Sequence, residues 1–279
     1  MEEVEDRTGL ERLQVRKTYK LFAGGQFVRS ESGRSYRAEG YNVPLGSRKD
    51  VRDAVRFARS AFAGWSGRTA MNRGQILYRV AEMLEGRRSE FLDLLGGGRA
   101  AGREVDAAVD TWVWYAGWTD KIAQLAGTVN PVAGPYFNFT IPQPTGVVGV
   151  VAPERPALLG LVRRLAPALC GGNTLVALTS EPLPLAALTL GEVLATGDIP
   201  AGVVNILSGR RRELLPWLAA HMDVNAVDAT GCDEEEVAAV EEAAAGNLKR
   251  VVRSARAGLN PDAVTALMEF KTVWHPIGV

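Results

Sequence analysis

From Val147 onward the chain alternates short apolar runs with segments of helical spacing, and few folds accept that pattern. Val147–Ala152, Thr174–Leu178, Val203–Leu207 and Asn225–Ala229 have the length and composition of strands buried on both faces, and Arg250–Val252 starts a fifth. Helical segments lie between them, over Pro156–Cys170, Leu185–Ala195, the stretch to His221, and Glu234–Ala245. Strand–helix alternation at this spacing predicts an α/β fold, a parallel sheet with helices on both faces. Such sheets bind ligands beyond the carboxyl ends of their strands.

The residues before Val147 read differently. Leu21–Val28 carries Gly24-Gly25 between apolar residues and predicts a hairpin. Apolar positions at helical spacing predict helices over Asp50–Ala63, Asn72–Glu85, Glu90–Leu95 and Glu104–Ala126. The last holds Trp112, Trp114, Tyr115 and Trp118, an aromatic cluster expected to pack rather than to bind a ligand. Phe137–Gln143 alternates as a strand does, and residues 1–20 are charged.

Lys+Arg and Asp+Glu number 32 each, which gives no reason to expect nucleic acid or an anionic membrane as partner. No apolar run reaches the ~18 residues of a membrane span. The acidic start, Met1 to Asp6, has the wrong sign for a secretory or transit peptide. With two cysteines, Cys170 and Cys232, no disulfide framework or four-cysteine metal site is expected, and a cytoplasmic protein with reduced thiols is. His221 and His275 fall in different elements without metal-ligand spacing.

Several segments, in order, resemble the aldehyde dehydrogenase superfamily. They are Tyr19–Val28, Pro142–Pro153, Leu165–Thr174 (Leu-Ala-Pro-Ala-Leu-Cys-Gly-Gly-Asn-Thr), Ile199–Leu207 and Asn247-Leu-Lys-Arg250. Phe270–His275 resembles that family's carboxy-terminal oligomerisation tail. In the family a catalytic domain with the cysteine nucleophile lies between the last two segments, and here residues 251–269 replace it. The resemblance implies a truncated member with three parts. Residues 1–145 would hold the N-terminal hairpin, helices and oligomerisation strand. Residues 146–253 would form a Rossmann-like NAD(P)-binding-type domain, and residues 254–279 a linker and oligomerisation strand.

The same resemblance implies a loss of chemistry. The family needs a thiolate, oxyanion donors, a nicotinamide and a base that activates water. Cys170 stands where the family packs a small residue. Cys232 follows Thr230-Gly231, at a helix start that in the family faces cofactor phosphate, and is at best a weak catalytic or redox position. In Pro153-Glu-Arg-Pro156, Arg155 occupies the slot of the oxyanion asparagine, or that asparagine is deleted outright. Ser254 falls where the family has its general-base glutamate, and serine cannot act as that base unaided. For the cofactor, Glu181 keeps a ribose-binding position while Leu178 replaces the lysine beside it, a loss of roughly 1.5–3 kcal/mol. Restoring lysine at 178 should then tighten binding. Thr230, Gly231 and Cys232 keep the helix start where backbone N–H groups meet a pyrophosphate. Asp233 to Glu236 would repel phosphate. Gly209-Arg-Arg-Arg212 could compensate with positive charge, but reads first as a solvated charge run. NAD or NADP binding is therefore expected to be weak or absent.

The leading expectation is a catalytically inactive subunit. It would associate with a complete aldehyde dehydrogenase, as scaffold or regulator, through residues 268–276 and 137–143. One alternative is an NAD(P)-dependent oxidoreductase acting on aldehydes, with unusual catalytic residues or residues supplied by a partner. Another is a free-standing nucleotide-binding module.

Overall fold

A computed structural model describes residues 15–253 and 258–278. The chain opens with the hairpin β1 (Leu21–Ala23) and β2 (Gln26–Val28). Gly24 and Gly25, at φ 61 and 76, form its two-residue turn, which needs positive φ at both positions. A second hairpin, β3 (Ser35–Ala38) with β4 (Tyr41–Pro44), was not legible in the sequence. Helix α1 (Arg48–Ser66) starts in a capping box of Ser47 and Asp50 and buries Val51, Ala54, Val55 and Ala58. Then come α2 (Ala70–Gly86), α3 (Arg88–Leu94) and α4 (Gly98–Ala116). The single helix expected over 104–126 is two. α4 ends at Gly117, and α5 (Ile122–Ala126) follows a turn. The break lies against α2, where a side chain on Gly74 would come within 2.9 Å of the Ala116 carbonyl. Trp112 and Tyr115 are buried and Trp114 stacks at 5.2 Å on Trp118, so the aromatic cluster does pack.

Next come β5 (Thr128–Asn130), β6 (Tyr136–Pro144) and the alternating unit that the apolar runs predict. That unit is β7 (Val147–Val151), α6 (Leu159–Cys170), β8 (Thr174–Leu178), α7 (Leu185–Thr196), β9 (Val204–Leu207), α8 (Arg211–Ala220), β10 (Ala226–Asp228), α9 (Glu234–Ala245) and β11 (Arg250–Val252). Strands β7 to β10 are buried throughout, which is why they read as continuous apolar runs. The sheet order is β11-β10-β7-β8-β9-β1-β2. Its first five strands are parallel, and the N-terminal hairpin is bonded antiparallel onto β9. That hairpin therefore belongs to the large sheet, although its place in the sequence groups it with the N-terminal helices.

Two apolar cores cover the faces of the sheet. α1, α8 and α9 pack on one side, and α2, α4, α6 and α7 on the other. The chain runs from β7 through α6 on one face, then crosses from β9 through α8 on the other to reach β10, beside β7. The strand order thus reverses between β7 and β10.

From β11 only residues 253–261 lead to α10 (Asp262–Thr265) and then to β12 (Met268–Pro276). β12 pairs antiparallel with β6 along nine residues, Met268 opposite Pro144 through Pro276 opposite Tyr136. With β5 on the far side of β6 this makes a three-stranded arm, order β12-β6-β5. Arg250 joins sheet to arm, donating to the Ala266 and Met268 carbonyls at 3.0 and 2.5 Å and pairing with Glu269 at 3.1 Å. The Asn-Leu-Lys-Arg motif is thus a strap here. The tail, expected to pair with a partner's sheet, has one edge already occupied by its own chain.

Candidate functional site

In open α/β sheets the ligand crevice opens where the strand order reverses, beyond the carboxyl ends of the strands. Here that place lies between the loop after β7 and the loop after β10. The two loops touch. The Gly231 N–H donates to the Val151 carbonyl at 3.2 Å, and a Cβ on Gly231 would lie 2.4 Å from the carbonyl oxygens of Val151 and Ala152. Only glycine fits so close an approach.

Arg211, the first residue of α8, reaches into this crevice. Its Nη1 donates to the Gly231 carbonyl at 2.7 Å and its Nη2 to the Ala152 carbonyl at 3.0 Å, so one guanidinium bridges both strand ends. Glu236 pairs with the same guanidinium at 3.3 Å, and the Arg211 side chain is 13% exposed. Arg210 hydrogen-bonds and ion-pairs with Glu181, and the backbone N–H of Arg211 donates to the other Glu181 oxygen at 3.0 Å. Burial alone would raise the Glu181 pKa, but these donors hold it below the usual carboxylate range. Arg210 and Arg211 therefore do not offer free positive charge to a phosphate. Arg211 is nearly buried on its acceptors, Arg210 pairs with Glu181 at the surface, and Arg212 is exposed beside the same helix start.

The helix start at Thr230–Asp233 is engaged as well. The N–H of Thr230 donates to Asp228 at 3.0 Å and that of Cys232 to the Ala229 carbonyl at 2.9 Å. Asp233 and Glu236 close a reciprocal capping box on α9. Burial, and then Glu236, push the Cys232 thiol up to about 12, the opposite of an activated thiolate. Beneath it lies Asp228, buried at the end of β10, accepting from the Thr230 hydroxyl at 2.5 Å with Arg164 at 3.7 Å. Burial raises the Asp228 pKa against the pull of Arg164. A cleft of about 810 Å³ continues between α8 and α9, with Leu215, Ala219 and Val240 buried at its base and Arg212, Asp233, Glu235, Glu236 and Glu242 along it.

The other positions singled out in the sequence do not converge on this crevice. Leu178 ends β8 at 2% exposure and belongs to the core. Cys170 is buried at the end of α6, and burial pushes its thiol up to about 12. Arg155 is exposed in the loop after β7. The first N–H groups of α6, at Leu158 and Leu159, donate to Glu104 at 2.8 and 3.2 Å. Ser254 lies outside the described residues. His221 accepts at Nδ1 from the Asp223 N–H at 3.2 Å, while His275 sits on β12. Among the described residues no cluster of three metal-ligating side chains occurs, and no helix is long and apolar enough to cross a membrane.

The sequence profile described as "Aldehyde dehydrogenase family" matches residues 35–271. Human retinal dehydrogenase 2 is 34% identical over 257 residues, covering 86% of this chain and 48% of that protein. Among solved structures, the NAD+ complex of the aldehyde dehydrogenase from Bacillus cereus is 28% identical, with a TM-score of 0.78 over 84% of this chain and 50% of that one. HpcC from Thermus thermophilus is 29% identical, with a TM-score of 0.80 over 85% and 48%. The chain belongs to the aldehyde dehydrogenase family. It spans about half the length of the curated relatives it matches.

Proposed function

We propose that this chain is a non-catalytic subunit that docks through its arm on a complete aldehyde dehydrogenase, as scaffold or regulator, in the cytoplasm. One observation carries this reading. β12 is an edge strand, and its sheet exposes apolar side chains: Phe137 at 45%, Val273 at 39% and Trp274 at 58%. The pleat places Val129, Phe137, Phe139, Ile141 and Val273 on one face of the three strands. An unpaired strand edge beside an exposed apolar face favours burial against another sheet. The occupant proposed is the sheet edge of a full-length relative.

Cofactor chemistry supports the same reading. Relatives of this chain bind NAD, as the Bacillus cereus complex illustrates. In this chain Leu178 offers no cation and Glu181 is held by Arg210, so NAD or NADP affinity is proposed to be weak or absent. With both thiols raised to about 12, a nucleophile from this chain is disfavoured, which weighs against the oxidoreductase alternative.

Mixing the purified chain with a purified complete aldehyde dehydrogenase of the same source, followed by sedimentation, tests the reading. A defined hetero-oligomer, lost on deleting residues 268–276, is the expected result. Full-stoichiometry association by the truncated chain, or steady NADH production from aldehydes by this chain alone, would contradict it.

A further inference from the structure

We infer that Arg211, held by Glu236, is a latch that closes the switch-point crevice to nucleotides, and so determines what this chain refuses to bind. The inference deepens the reading of the crevice as a degenerate dinucleotide site. Three acceptors hold the guanidinium, two of them backbone carbonyls from opposite sides of the crevice. Arg211 follows Arg210, whose pairing with Glu181 helps fix the start of α8. The arginine is thus anchored at its backbone and at its tip.

The carbonyls of Ala152 and Gly231 present partial negative charge at the strand ends, and the guanidinium neutralises both. A phosphate entering here has to displace it, and then faces the two carbonyls, a Glu236 left with the Asp233 N–H but no cation, and the carboxylates of Asp233 and Glu235, against the cation of Arg212. The Nε of Arg211 is buried without a partner. Both terminal nitrogens nevertheless donate to carbonyls of the chain itself, which tethers the guanidinium across the crevice. By this inference Arg211, more than the loss of lysine at 178, sets dinucleotide affinity.

Isothermal titration of the full chain with NAD and with ADP-ribose tests the latch. The unmodified chain should show no saturation at millimolar ligand. Arg211→Ala should bind at least ~10-fold tighter, and Arg211→Ala with Glu236→Gln tighter still, because the leftover carboxylate is neutralised. Should the alanine variant melt below the working temperature, Arg211→Gln keeps the stem to Cδ, stops short of the carbonyls and carries the same expectation. A folded Arg211 variant whose affinity is unchanged or weaker would overturn the latch, the weaker case making Arg211 a phosphate ligand instead. So would tight binding by the unmodified chain. Docking is measured separately. Arg211→Ala should still associate with the complete enzyme, so failure of the latch and failure of the docking model are distinguishable.

Discussion

The crevice and the arm lie at opposite extremes of polar and apolar satisfaction. At the crevice the loops touch, one guanidinium bridges both strand ends, and the capping box engages the helix start. At the arm an edge strand and an apolar face meet solvent. At the strand ends the chain's own arginine bridges the loops, while along the arm apolar side chains stay exposed. Under the docking reading, recognition by this chain resides in the arm.

The closed half can be broken most visibly through chemistry. With its thiol raised from 9.0 to about 12, Cys232 carries at pH 8 about a thousandfold less thiolate than an unperturbed thiol. Alkylation by iodoacetamide, followed by peptide mass spectrometry, should be correspondingly slow at pH 8 and accelerate as pH rises toward 12. Labelling as fast as that of a free thiol would mean that the crevice is open. The open half is tested by placing charge on the apolar face. Phe137→Asp with Val273→Asp should weaken association at least ~100-fold, about 2.7 kcal/mol. Circular dichroism should stay unchanged, since both side chains are exposed. A smaller effect is expected at the strap. Arg250→Ala removes two carbonyl contacts and an ion pair, a loss of roughly 1–3 kcal/mol. Limited proteolysis should then cut between residues 253 and 268 several-fold faster, with the sheet intact.

The smallest effect concerns Leu178. On sequence grounds lysine there should tighten cofactor binding. In the structure Leu178 is packed in the core, and the carboxylate that a lysine would join already holds Arg210. Leu178→Lys alone should change NAD affinity less than ~2-fold, under about 0.4 kcal/mol. It should gain more when combined with Arg211→Ala. Titration calorimetry on the single and double variants separates the two cases.

That revision shows what a sequence carries and what it does not. The buried strands and most helices were legible because apolar period is a local property. Thus Glu234–Ala245 and Arg250–Val252 fall where the spacing places them. The helix expected over 104–126 breaks at Gly117 because α2 presses on that turn, a contact that period alone cannot register. The arginine run was visible at 209–212 but its partners were not. Arg211 bonds across 20 residues to Gly231 and across 59 to Ala152. Charge and spacing alone left a solvated charge run or a cation offsetting the acidic residues 233–236, where the fold tethers Arg211 to carbonyls. Asp228 and Glu104 went unremarked for the same reason, since each acts on a neighbour supplied by tertiary packing.

Hydrogen–deuterium exchange of the whole chain, alone, with millimolar NAD, and with a complete aldehyde dehydrogenase, tests the contrast between closed crevice and open arm most directly. The expected result is protection of residues 136–144 and 268–276 by the enzyme, with no change at 209–212 or 230–236 on adding NAD. Protection of 230–236 by NAD, with an arm indifferent to the enzyme, would contradict it.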